Sequence, residues 1–457
     1  MSWNPEIMSA VPECAWPGLV GGEPAARLAS LFQLEQSQWL APEVLRERQL
    51  RQAGLLLAHA EETIPFYRSR FASAGLDAHA PLTPEAWDSL PILRRDEVQK
   101  AGRKLLSRSI PKPHGKVAWT QTSGSTGQPV KVARTELVGH YWCVFTLRNH
   151  QWHERDFSGK LASIRAMKGG APPPDGVAAA SWGRATHGLF HTGKSFVLEV
   201  GASLTEQVDW LQKIDPAYLL TYPSNIRALA DRCLERGIEL PGLRQVQSVG
   251  EIVTPAMRNA SREAWGAPLI DTYSSEEFGY IALQCPSSEG MHIQAENLLV
   301  ELLDENGRPC APGETGRLVI TGLHNYAMPL IRYEIGDHAV AGERCACGRG
   351  LPVLSKILGR TRNMLVKESG EMVWPRFGVR RFREIAPIRQ YQAIQKSFTE
   401  MHVRLVADRP LTPDQEARLI RHIRESLESP FEIALEYLDE IPRSKGGKYD
   451  VFVSEVS

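Results

Sequence analysis

Between Thr122 and Gly127 the chain packs four hydroxyl residues and two glycines, in the order Thr122-Ser123-Gly124-Ser125-Thr126-Gly127. Such a segment has almost no apolar surface to bury. Its glycines allow tight turning, and its hydroxyls and backbone N–H groups can converge on an anion. Strand-like residues stand on both sides, Lys116-Val-Ala-Trp119 before and Val130-Lys-Val132 after. The segment therefore reads as a phosphate-gripping hairpin tip rather than a linker. Gly188-Leu-Phe-His-Thr-Gly193-Lys194-Ser195 competes for that role, because it matches the Walker pattern letter for letter. That pattern needs a strand before the loop and a helix after it, so that the helix N-terminus faces the phosphates. Here Phe196 to Val200 reads as a strand, and no continuous apolar run precedes the loop. A Walker-type NTPase using Lys194 is the rival reading from another class.

Further groups suited to nucleotide chemistry follow. Asp271-Thr-Tyr273-Ser274-Ser275-Glu276-Glu277-Phe278-Gly279 comes after a strand signal at Leu269-Ile270. Adjacent carboxylates at a strand end are costly unless solvated or bound to a cation. Mg²⁺ takes oxygen ligands and shares them with substrate phosphates; an exposed acidic turn explains the pair as well. Asp337, after Gly336, suits ribose hydroxyls, and Arg360 and Arg362 suit phosphate. Lys448, in Lys445-Gly-Gly-Lys448, offers a point charge on a glycine-flanked turn. Cys285, His292, Cys345 and Cys347 supply three thiolates and one imidazole, a closed tetrahedral set for structural Zn²⁺, although the C-x-C spacing is tight and ordinary reduced cysteines fit too. Trp182, His187 and Phe190 would suit an aryl acid if they lined a pocket, but aromatic side chains there also build cores.

Those groups must be positioned by a chain of 457 residues, long enough for two or three domains. Its hydrophobic share is 42%, its charged share 23% and its net charge zero, so no general attraction to nucleic acid or to an anionic membrane is expected. No apolar run is long enough to span a bilayer, and the first residues lack the layout of a signal peptide. Seven cysteines, an odd number, fit a reducing compartment, and a cytoplasmic location is the expectation. Apolar spacing predicts helices from about Glu23 to Ala74, broken at Ile64-Pro65, and again over Tyr141 to Arg148. The stretch from Asn149 to Ala180 carries no clear pattern. From Tyr218 onwards strand and helix alternate: a strand to Tyr222, a helix from Ile226 to Arg236 capped by Ser224 or Asn225, a strand at Val246 to Val249, and a helix from Pro255 to Trp265. Repeated β–helix–β units imply a parallel sheet with ligands at the carboxyl ends of its strands. Hairpins follow after Leu298. The boundary near Gly359–Arg362 opens a small α+β unit with a helix from Thr412 to Leu427. The expected class is α/β: a large N-terminal domain (1–359) with parallel-rich sheets and a β-rich subdomain, and a small α+β C-terminal domain (360–457).

In this order, the motifs resemble the adenylate-forming superfamily of acyl- and aryl-CoA synthetases, adenylation domains and luciferases, in the phenylacetate–CoA ligase-like branch. The resemblance runs from about Leu45 to Lys448 and includes Tyr218 to Asn225 and Ser248-Val-Gly250-Glu251. It implies ATP- and Mg²⁺-dependent activation of a small carboxylic acid, aryl by expectation, to an acyl-adenylate, then transfer to coenzyme A, or alternatively to a carrier-protein phosphopantetheine thiol. By resemblance, Ser123, Gly124, Ser125, Thr126 and Gly127 hold the β- and γ-phosphates, and Gly250 and Glu251 border the adenine. Tyr273 stacks on the adenine, Glu277 binds Mg²⁺, Asp337 takes the ribose hydroxyls, and Arg360 the phosphate or ribose. Lys448 bridges the acyl carboxylate and the α-phosphate. Arg362 stands at the hinge of a mobile C-terminal lid. The chain departs from the family in having Ser274 and Glu276 where glycine and then serine or threonine are usual, and Arg362 where aspartate is usual. The spacing to Gly279 favours Glu277 over Glu276 as the metal ligand. Some members of the branch have an arrangement similar to Cys285, His292, Cys345 and Cys347, which strengthens zinc. No membrane or nucleic-acid partner is implied, and a homodimer is among the expected assemblies.

Overall fold

In the computed structural model, which describes residues 3–122, 129–167, 173–360, 363–373, 375, 377, 379–443 and 448–456, the N-terminal periodicity becomes three helices. They are α1 (Gly22–Ser37), α2 (Pro42–Thr63) and α3 (Pro65–Ser73). Pro65 has no N–H to continue α2, so the chain restarts there with proline in the first turn. The apolar stripe of α2 (Leu50, Ala53, Leu56, Leu57, Ala60) is buried. Two short helices, α4 (Pro84–Asp88) and α5 (Arg95–Ala101), lead to a hairpin of β1 (Val117–Gln121) and β2 (Lys131–Thr135), which pair antiparallel from Val117↔Thr135 to Gln121↔Lys131. The long helix α6 (Glu136–Trp152) follows.

The segment without a clear pattern contains β3 (Leu161–Arg165) and β4 (Val177–Ala179). Next come β5 (Ser195–Glu199), α7 (Leu204–Ile214), β6 (Tyr218–Thr221), α8 (Pro223–Arg236), β7 (Gln245–Ser248), α9 (Pro255–Trp265) and β8 (Leu269–Ile270). The six strands form one sheet in the order β4-β5-β3-β6-β7-β8, parallel except at β4. Ala162, Ile164, Leu219 and Val246 bury one face with Val208, Leu211, Ile226 and Leu229 of the helices. A fully buried aliphatic side chain of this kind contributes roughly 1.5–3 kcal/mol.

Helix α9 starts at Pro255 as expected, and the Thr254 side chain caps it by accepting from Met257 N–H. At α8 the expectation fails: the helix starts earlier, at Pro223, and no side chain of its own caps it. The Glu251 carboxylate, from the loop after β7, accepts from Ser224 N–H at 2.9 Å. Asn225 instead bonds Gln207 and Thr221.

A second sheet of seven strands, in the order β12-β13-β14-β15-β11-β10-β9, is built from β9 (Thr272–Ser275), β10 (Gly279–Gln284), β11 (Met291–Ile293), β12 (Leu298–Leu303), β13 (Thr315–Gly322), β14 (Tyr333–Ala341) and β15 (Val353–Arg360). Leu298, Leu318, Ile320 and Tyr333 share a core with the buried stripes of α2 and α3.

The chain divides into two units, Met1–Leu358 and Gly359–Ser457. The second contains the short pair β16 (Leu365–Val366) and β17 (Met372–Val373), α10 (Val379–Ile385), β18 (Ile388–Gln395), β19 (Glu400–Ala407), α11 (Pro413–Leu427), β20 (Glu432–Tyr437) and β21 (Phe452–Ser454). Its four-stranded sheet runs β20-β19-β18-β21. Ala393, Val403 and Leu405 pack with Leu419 and Ile423 of α11. Among the described residues no helix is long and apolar enough to cross a membrane.

Candidate active site

The β1–β2 hairpin is locked at its root. Thr122 N–H donates to the Val130 carbonyl at 3.0 Å, and Val130 N–H returns a bond to Thr122 Oγ1 at 2.9 Å. The tip, Ser123 to Gly127, lies outside the described residues. The glutamate pair sits against this root, in the turn between β9 and β10. Thr120 Oγ1 donates to Glu276 Oε2 at 2.5 Å, and Arg134 Nη1 donates to the Glu276 carbonyl at 3.1 Å. Burial pushes the Arg134 guanidinium down, against the opposing charges of Glu276 and Glu277. Glu277 is 5% exposed, and its Oε1 stands 3.9 Å from Arg95 Nη1. The two adjacent carboxylates thus have different surroundings: Glu276 is engaged by the hairpin strands, and Glu277 is buried beside Arg95.

Tyr273 and Asp337 meet. The phenol on β9 donates to Asp337 Oδ2 on β14 at 2.6 Å. Asp337 follows Gly336, whose φ of +85° is natural only for glycine. Gly250, with φ +83°, and Glu251 lie just beyond the carboxyl end of β7, where a parallel sheet presents ligand-binding loops. Beside them Ser248 Oγ donates to Asp271 Oδ1 at 2.5 Å, while burial pushes the Asp271 carboxyl up. Arg360 ends β15. In the second unit, Lys448 precedes Tyr449, whose phenol donates to the Tyr391 carbonyl, and Asp450, whose carbonyl accepts from Gln392 at 2.9 Å. Tyr449 and Asp450, the residues after Lys448, are thereby tied to β18. Arg362 lies outside the described residues.

The suggested aryl pocket gives way to a core. Trp182 and Phe190 are 8% and 3% exposed. Both pack against Phe157, with ring centroids 5.1 and 5.3 Å away, and the Trp182 indole donates to the Gly159 carbonyl at 3.0 Å. His187 is exposed; its N–H donates to the Gly183 carbonyl at 3.0 Å and its carbonyl accepts from Arg27 at 2.7 Å. The Walker-like run also lacks its helix, since Ser195 opens β5.

Cys285, His292, Cys345 and Cys347 come together with all four donor atoms within 4.8 Å of one another. Cys285 Sγ and Cys345 Sγ are 3.7 Å apart, and Cys347 Sγ is 3.3 Å from His292 Nε2. Tetrahedral thiolates at a zinc–sulfur bond length sit roughly 3.8 Å apart, close to the Cys285–Cys345 separation, so the donor set and spacing suit a tetrahedral zinc site. His292 Nδ1 lies 3.3 Å from the Leu351 carbonyl, which leaves Nε2 for a metal. Burial pushes His292 down to about 4, keeping the imidazole neutral. The loop that carries the last two cysteines is docked by Arg349. Its guanidinium lies between Trp39 and Trp152, 4.8 and 4.5 Å from their ring centroids, and donates to Gln38 Oε1 at 2.7 Å.

Sequence reading missed Arg95, Thr120 and Arg134 as neighbours of the glutamates. Arg134 and Thr120 flank the glycine-rich run, a signal that could have found them. Arg95 belongs to an ordinary charged helix start and gives none.

The AMP-binding enzyme family model matches residues 61–328, and the CapK C-terminal domain model matches residues 365–455. The phenylacetate-coenzyme A ligase of Thermus thermophilus is 27% identical over 448 residues, covering 90% of this chain and 96% of that protein. Its namesake from Escherichia coli is 26% identical over 439 residues, covering 89% and 94%. Among solved structures, a 2-hydroxyisobutyryl-CoA ligase in the postadenylation state with 2-HIB-AMP shares the fold at TM-score 0.70 and 19% identity, covering 89% of each chain.

Proposed function

The chain belongs to the AMP-binding enzyme family, in the phenylacetate–CoA ligase-like branch, and from that premise we propose that it is an AMP-forming acid–thiol ligase. A carboxylate oxygen attacks the α-phosphorus of ATP. The bond to the β-phosphate oxygen breaks, giving acyl-adenylate and pyrophosphate. The coenzyme A thiolate then attacks the acyl carbon and AMP leaves. The Tyr273–Asp337 bond carries this reading. Two residues assigned to the nucleotide, one to the base and one to the ribose, stand on β9 and β14 of one sheet, and their side chains meet at 2.6 Å.

Ser123 to Gly127 would cradle the phosphates at the hairpin tip, and Glu277 would hold Mg²⁺, whose charge neutralises the departing pyrophosphate. Gly250 and Glu251 would border the adenine, and Glu251 is already held in place by its bond to Ser224 N–H. Lys448 would bridge the acyl carboxylate and the α-phosphate during adenylation, and the second unit would act as the lid, hinged near Arg362. Arylacetates are the first acids to try, because the curated relatives are named phenylacetate-coenzyme A ligase. Zn²⁺ at Cys285, His292, Cys345 and Cys347 would be structural, since four protein ligands leave no open position.

The test is acid-dependent pyrophosphate release with Mg-ATP, across aryl and alkyl carboxylic acids, with and without coenzyme A. Release with one acid class, accompanied by AMP and lost in Lys448→Ala, is expected. Orthophosphate release that ignores the acid would sink the ligase reading.

A further inference from the structure

Arg95 takes no part in the roles assigned so far. It opens α5, its side chain is only 20% exposed, and it faces a Glu277 side chain that is 3% exposed. At 3.9 Å this pair is an attraction without a hydrogen bond. Among the described residues, the guanidinium's hydrogen bonds go to neutral hydroxyls: Nη2 to Thr122 Oγ1 at 3.3 Å and Nη1 to Tyr333 Oη at 3.5 Å. Its buried Nε has no hydrogen-bond partner among the described residues.

A guanidinium offers five N–H donors in a fixed fork. Here that fork is held from three sides and poorly satisfied, a costly state for a buried cation unless something else completes it. Thr122 is the residue immediately before the hairpin tip, and Glu277 is the carboxylate assigned to Mg²⁺. A group that approaches both, carries negative charge and accepts several N–H bonds is a polyphosphate.

We infer that Arg95 is a polyphosphate-binding residue, donating to the β- and γ-phosphate oxygens of ATP and to the pyrophosphate that leaves. Before nucleotide binds, the same guanidinium balances the buried Glu277 carboxylate. With Mg²⁺ held by Glu277, the Arg95 guanidinium would be released to donate to the phosphate oxygens. This rests on the ligase reading above.

Arg95→Met and Arg95→Lys test it. Calorimetry with magnesium pyrophosphate should show affinity about ten- to a hundredfold weaker in Arg95→Met, as for loss of a charge-assisted bond, and intermediate in Arg95→Lys. The KM for pyrophosphate in acid-dependent pyrophosphate–ATP exchange should rise in parallel. Coenzyme A thioester formation from supplied acyl-adenylate should stay within about twofold of wild type, because that step has no pyrophosphate. Unchanged pyrophosphate affinity would overturn the inference, as would equal losses in both half-reactions together with a lowered melting temperature. A wild-type enzyme without acid-dependent exchange would remove the ligase reading instead, and the calorimetric comparison would still decide whether Arg95 binds polyphosphate.

Discussion

Tyr273 and Asp337 illustrate what single positions reveal and conceal. Family resemblance assigns one to the base and the other to the ribose, but nothing in the sequence says that the phenol donates to the carboxylate across 64 positions of chain. Tyr273→Phe removes that donor and frees the carboxylate to rotate. We expect the KM for ATP to rise about ten- to thirtyfold, in line with a hydrogen bond to a charged group worth about 1.5–2 kcal/mol, with the KM for the acid little changed. Asp337→Ala should cost more than Tyr273→Phe, because it also removes the ribose acceptor. Equal ATP kinetics in wild type and both variants would argue against these assignments. Arg95 was invisible for a physical reason: its partners Thr122 and Tyr333 lie 27 and 238 positions away, and its own neighbours read as a solvated helix start. Trp182 and Phe190 were ambiguous because a large aromatic ring suits a pocket wall and a packed core equally well.

Elements were easier to read where a period repeats. The helices from α1 to α3, the strand–helix alternation from β6 to β8 and helix α11 all emerge from spacing and end signals, since each buries one continuous apolar stripe. Strand β3 did not emerge, although it lies in the middle of the parallel sheet, because five residues with an interior serine carry too little pattern alone. Its pairing with β5 and β6 decides it. At α9 the start at Pro255 was legible, and Thr254→Ala, which removes the cap, should lower stability by about 1 kcal/mol in denaturant unfolding. The cysteine loop gives a stronger prediction. A Cβ on Gly350 would lie 1.7 Å from the Leu40 carbonyl oxygen, so Gly350→Ala must push the loop off the junction between α1 and α2, at a cost of at least about 3 kcal/mol. A melting temperature equal to wild type would contradict that packing.

For the molecule as a whole, acid sensitivity follows from buried histidines. Burial is the leading cause holding His150 well below its ordinary value, His153 down to about 3 and His324 down to about 4. His150 Nδ1 faces Arg155 Nη1 at 3.0 Å and so serves as an acceptor. The unfolded chain therefore binds more protons than the folded one below about pH 6.5. The stabilisation from neutral histidines is complete above that value and is lost as pH falls towards 4. Melting temperatures recorded at pH 8, 6.5 and 5 should be similar for the first two and lower at the third, and His324→Phe should flatten part of the drop. A melting temperature that rises on acidification would refute this. The division into two units with separate cores was legible from the change in character near Gly359, whereas the contents of each site depended on contacts between distant strands.

Arg349 sits between two indoles, with Cys347 only two positions earlier. A guanidinium stacked on an indole alters its excited-state environment, so the cysteine–histidine cluster has an optical reporter built beside it. On the proposal that Cys285, His292, Cys345 and Cys347 hold Zn²⁺, a chelator should change the emission contributed by Trp39 and Trp152, and readdition of Zn²⁺ should restore it. The Trp39→Phe, Trp152→Phe double variant should lose that response while retaining the remaining indole signal. Metal occupancy could then be followed by fluorescence, in parallel with catalysis and without a label.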